Sequence, residues 1–74
     1  MKLYVKAVAK DSKLKWPSYN YISKYEKFKI KCKILDEDLG FSKDKYKLCL
    51  KGTEENIKSF LSYLRMKGFK VKEY

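Results

Sequence analysis

GTEENIKSFLSYLRMKG, residues 52 to 68, carries the signals by which a short stretch announces an amphipathic helix. Gly52 breaks what precedes it, and Thr53 stands where a hydroxyl can accept from an orphan backbone N–H. Glu54 and Glu55 fall in the first turn, where the helix dipole favours negative charge. Ile57, Phe60, Leu61 and Leu64 then recur at i, i+3, i+4 and i+7, one apolar stripe on a polar cylinder. Lys67 and Gly68 close it, a basic last turn followed by a C′ glycine. A helix with one apolar face needs a surface to cover, so the flanking segments decide what kind of protein this is.

Both flanks alternate with a period of two, the mark of a strand with one buried face. Before the helix, KYKLCLK (45 to 51) places Tyr46, Leu48 and Leu50 on one side; after it, FKVKEY (69 to 74) places Phe69 and Val71 inward and Lys70 and Lys72 outward. Further upstream, KFKIKCKI (27 to 34) puts Phe28, Ile30, Cys32 and Ile34 inward, and LDEDLGFSKD (35 to 44) reads as the polar turn that joins it to the next strand. The N-terminal MKLYVKAVAK alternates as well, with Leu3, Val5, Ala7 and Ala9 on its buried side.

Between the first two strands the signals are weaker. Residues 11 to 16 read as a loop, Pro17 suits a first helical position, and Tyr19, Ile22 and Tyr25 fit one helical stripe. Ser, Asn and three Tyr are poor helix formers, so an irregular aromatic loop is the alternative. With a helix there, the order is βαββαβ. We therefore expect one α+β domain over 1–74, ferredoxin-like, with a four-stranded antiparallel sheet, the first and third strands central and both helices on one face. With a loop there, the sheet lies under a single helix.

The ending KLCLKGTEENIKSFLSYLRMKGFKVKE resembles that of NIL-type domains, small ferredoxin-like modules attached to methionine transporters and iron–sulfur proteins. Gly52, Tyr63, Leu64, Arg65, Gly68 and Val71 carry the likeness, and Pro17 sits near the proline that opens that family's first helix. The resemblance covers the last third of the chain. It implies a ferredoxin-like fold and a small-ligand or protein-interaction role.

Composition points elsewhere. Across 74 residues, 19 Lys and Arg stand against nine Asp and Glu, a net charge of +10 that attracts polyanions whatever the fold. Because side chains alternate across a strand, the assigned faces gather lysines on the side away from the helices: Lys2, Lys6, Lys10, Lys27, Lys29, Lys31, Lys33, Lys45, Lys47, Lys51, Lys70 and Lys72. A face built only for solubility would mix carboxylates with these amines, and no acidic residue is expected on the same strands. Nucleic acid, RNA or DNA, is the expected partner, held through its phosphates with little sequence preference.

The expected binding residues are Lys6, Lys27, Lys29, Lys31, Lys33, Lys45, Lys47 and Lys51, with Tyr4 and Trp16 as stacking aromatics. Tyr4 projects from the first strand onto the lysine side, where RNA-binding sheets of the RRM kind place a stacking ring, although no RNP1-like run of aromatics exists here. Trp16, Tyr19, Tyr21 and Tyr25 form a second aromatic group, read either as core closure or as a stacking loop at the edge of the basic face. An acidic protein is a possible alternative partner for the same charge, and the chain is expected as a monomer or weak dimer.

Chemistry for catalysis is thin. No His and a single Arg leave little for acid-base work, and Cys32 and Cys49 are expected on opposite faces, unable to form a disulfide. Asp36 and Asp38 have the D-x-D spacing of a calcium loop without its later ligands, and the three glycines stand alone. We expect a non-enzyme with no cofactor and no metal. No apolar run approaches a membrane span, and a cytoplasmic protein without membrane association is expected.

Overall fold

The computed structural model describes residues 1–74. Its elements are β1 (Lys2–Lys10), α1 (Ser18–Ile22), β2 (Lys31–Leu39), β3 (Lys43–Lys51), α2 (Glu54–Met66) and β4 (Phe69–Glu73), with single 3-10 stretches at Asp11–Lys13 and Ser23–Phe28. The four strands form one antiparallel sheet in the order β2-β3-β1-β4, the ferredoxin-like arrangement with the first and third strands central. Helices cover one side of it.

That side is the core. Val5, Ala7 and Ala9 of β1, Tyr46, Leu48 and Leu50 of β3 and Phe69 of β4 pack against Ile22 of α1 and Ile57, Phe60, Leu61 and Leu64 of α2. The small inward residues of β1 leave room for Phe60, which is fully buried. α2 begins as its residues dictate, with the Thr53 hydroxyl accepting from the Asn56 N–H at 3.1 Å. It ends at Gly68, whose φ of +109° lies where a Cβ is strained.

Residues 18 to 28 are helical, which settles the first helix in favour of the βαββαβ order. The buried residues of α1 are Ser18, Tyr21 and Ile22, however, and Tyr19 is 56% exposed. Ser18 takes the inward place because its hydroxyl finds partners there: it donates to the Asp44 carboxylate at 2.5 Å and lies 2.7 Å from the Tyr46 hydroxyl. A buried polar group satisfied in this way costs little.

The second strand differs from the expected KFKIKCKI. Ser23–Phe28 is a 3-10 turn, Lys29 is left-handed at φ 57°, and the strand starts only at Lys31. Phe28 explains the shift: its ring lies 5.5 Å from that of Phe60 and 5.4 Å from that of Tyr63, inside the helix layer. Ile30 then drops into the core against Gly52, where an added Cβ would come within 2.7 Å of the Ile30 side chain. Period-two alternation across 27–30 thus reflects one aromatic and one aliphatic residue reaching the core from irregular backbone.

The far end of the hairpin is also displaced. β2 runs to Leu39 and β3 starts at Lys43, so the turn is only Gly40, Phe41 and Ser42, and Asp36, Glu37 and Asp38 are strand residues. A β-bulge between Ile34 and Asp36 accommodates Leu35 as the extra residue. Because one inserted residue reverses the parity of everything after it, the bulge puts Asp36 and Asp38 opposite Lys47 and Lys45, on the side away from the helices. The expectation that no carboxylate shares the strands of the lysine face is corrected accordingly.

Candidate nucleic-acid interface

With faces and register set, the side of the sheet away from the helices can be read as rows running across the strands. Lys31, Lys51 and Lys2 form the first; Lys33, Cys49 and Tyr4 the second. Asp36, Lys47, Lys6 and Lys72 form the third, and Asp38, Lys45, Val8 and Lys70 the fourth. Lys43 and Lys10 end the series. Rows on one face are separated by two residues along the strand, about 6.8 Å, and strands by about 4.8 Å, so the amines make a two-dimensional grid.

Of the residues expected to bind, Lys6, Lys31, Lys33, Lys45, Lys47, Lys51 and Tyr4 share this face. Lys27 and Lys29 do not. They lie in and just after the 3-10 turn, ahead of β2, because Phe28 between them is anchored on α2. Trp16 is also elsewhere: its ring packs 5.9 Å from Tyr21, a core residue of the helix layer, and the backbone N–H groups of Lys15 and Trp16 donate to the Tyr21 hydroxyl. This supports core closure for Tyr21 and leaves Trp16 as a half-exposed cover over it. Lys43, which sequence reasoning assigned to the turn, joins the face because the turn is shorter than expected.

Charge on the face is largely uncompensated. The molecule's one ion pair joins Lys58 and Glu54 on α2 at 3.2 Å, so no lysine of the sheet is paired. Asp36 and Asp38 moderate the field at the β2 edge beside Lys47 and Lys45, and the opposite end, around Lys2, Lys31, Lys33 and Lys51, has no carboxylate in its rows.

Aromatic rings interrupt the grid. The Tyr4 ring sits 6.2 Å from that of Tyr74, whose backbone N–H donates to the Tyr4 carbonyl and extends the pairing of β4 with β1. Lys2 Nζ lies over Tyr4 at 5.5 Å, and Lys6 and Lys47 approach Tyr74 at 5.3 and 5.9 Å. Hydrogen bonding and charge interaction with Tyr4, followed by Cys49, hold the Lys2 ammonium above its ordinary range. Tyr74 joins the candidate interface although the sequence gives no sign of it, because its place beside Tyr4 follows from the β4 register, which no local pattern encodes.

The cysteines face opposite ways, as alternation requires, and both are free. Burial first, and then Cys49, push the Cys32 thiol up to about 11, so it is a poor nucleophile. Cys49 is on the lysine side yet buried, set below the longer side chains around it. The arrangement offers ammonium groups, aromatic faces and a small apolar floor.

No protein-family model matches this chain, and no curated protein sequence matches it. Solved structures do share its fold. The crystal structure of the C-terminal domain of an ABC transporter ATP-binding protein from Enterococcus faecalis superposes with a TM-score of 0.79 at 17% identity, covering 96% of this chain and 81% of that one. The de novo designed protein Ferredog-Diesel superposes with a TM-score of 0.53 at 11% identity, covering 97% and 84%. At these identities the likeness establishes a small α+β domain of ferredoxin-like fold. No helix is long and apolar enough to cross a membrane.

Proposed function

We propose that this protein is a small nucleic-acid-binding module that holds phosphate backbone on the open face of its sheet with little sequence preference. The supporting observation is the grid itself: rows of unpaired lysines on one face, with two carboxylates confined to one edge. Lysine acts as a point charge and tolerates many backbone geometries, so contacts of this kind position a strand without reading bases. The proposal is for a binding module with no catalytic step, at work in the cytoplasm.

Titrating duplex DNA, single-stranded DNA and RNA at several salt concentrations tests the reading. If about six lysines engage, log K should fall against log salt with a slope near −5 for duplex and near −4 for single strands. Replacing Lys31, Lys47 and Lys51 together with Gln should flatten that slope while the fold is kept. Absence of binding to all three nucleic acids at low salt would end the proposal.

A second reading, a protein-interaction or regulatory module, draws on the likeness to the transporter domain and on the NIL-like ending. Such a module would associate through a sheet edge or the helical side, since the lysine face repels its own copy. Sedimentation separates the two: a dimer that forms without nucleic acid and persists at high salt favours this one.

A further inference from the structure

Where the first two rows meet, the lysine face is concave. A cavity of about 350 Å³ opens there, walled by Lys2, Lys31, Lys33, Lys51 and Tyr4, with the buried Cys49 beneath. That volume falls in the range of small-ligand sites. The register explains the hollow: Cys49 lies directly between Tyr4 and Lys33, and its short side chain leaves a gap where another lysine would stand.

Four ammonium groups and no carboxylate line this hollow, so its occupant is anionic. One wall is a tyrosine ring, so the occupant also has a flat apolar face. We infer that the hollow takes one nucleotide of a single strand, its base stacked on Tyr4 and its flanking phosphates on Lys2, Lys31 and Lys51, and that the protein therefore prefers single strands to duplex. The inference rests on the nucleic-acid reading above and specifies its substrate.

Lys2, resting over the Tyr4 ring at 5.5 Å, is the movable part. An exposed cation–π contact is weak, and stacking by a base is stronger, so an arriving base displaces the ammonium toward the adjacent phosphate. Duplex DNA cannot use this wall, because its base faces are already stacked inside the helix and must be pulled out at a cost. A purely electrostatic plate would do the reverse, favouring the duplex for its higher charge density.

The test compares Tyr4→Leu and Tyr4→Phe with the parent protein, measuring affinity for an oligothymidylate of about twelve nucleotides, a duplex of equal length, and heparin as a polyanion without bases. Melting curves confirm that each variant folds. Tyr4→Leu should weaken oligothymidylate binding by about 5- to 150-fold, the range spanned by loss of one base–aromatic stack. Binding of duplex and heparin should be unchanged, and Tyr4→Phe, which keeps the ring, should retain the preference. If all three ligands bind and Tyr4→Leu leaves their relative affinities as they were, the stacking inference is overturned while phosphate binding stands. If none of the three binds the parent protein, both are lost.

Discussion

Asp11 shows how a single side chain carries a cost set by its neighbours. Partial desolvation, followed by the nearby Asp44 carboxylate and a hydrogen bond with it, raises the Asp11 carboxyl above its ordinary 3.8. A raised value in the folded state means that the folded protein holds this proton more tightly than the unfolded chain does. The contribution is stabilising below 3.8 and is lost as pH rises through the raised value. Asp11→Asn should therefore raise the urea midpoint at neutral pH, and the gain over the parent should shrink on acidification; a gain independent of pH would contradict this origin. Thr53 and Gly68 were legible in the sequence, because a cap and a helix stop act within one turn of chain. The Ser18, Asp44 and Tyr46 cluster was not, since its members lie 26 and 28 residues apart and meet only across the packed layers.

Among the elements, α2 and β2 mark the two extremes. α2 was readable because its stripe, cap and terminal glycine agree. β2 was misplaced at both ends, and the causes are tertiary: Phe28 binds the aromatic cluster on α2, and Leu35 is absorbed as a bulge. The bulge has an electrostatic consequence, because it alone turns Asp36 and Asp38 toward Lys47 and Lys45. Replacing both with Asn should strengthen polyanion binding at low salt, by up to about fivefold for each charge removed, with the gain fading as salt screens the field. Equal affinity of the variant and the parent for a polyanion in low salt would show that Asp36 and Asp38 do not weaken its contact with the lysine face.

For the whole molecule, a net charge of +10 concentrated on one layer is a source of instability as well as attraction. Lys51 faces Lys2 on one side and Lys31 on the other. Like charges directly opposed weaken a strand pair, so Lys51→Gln should stabilise the free protein by a few tenths to about 1 kcal/mol at low ionic strength. The difference should vanish near 1 M salt, where the screening length falls to about 3 Å; denaturant midpoints at the two salt levels would show it. The order of the strands and α2, the sides that β1, β3, β4 and α2 bury and the gathering of lysines were determined by the sequence itself, because the periods of helix and strand act over a few residues and leave their pattern in the chain; the first helix was not, and its buried side is Ser18, Tyr21 and Ile22. Tertiary structure alone decided which lysines belong to the open face, where the acidic residues turn, and that Tyr74 stands beside Tyr4. Those outcomes depend on register, on one bulge and on the packing of Phe28 against α2, which holds Lys27 and Lys29 off the sheet, and each of these is chosen by the fit between whole surfaces.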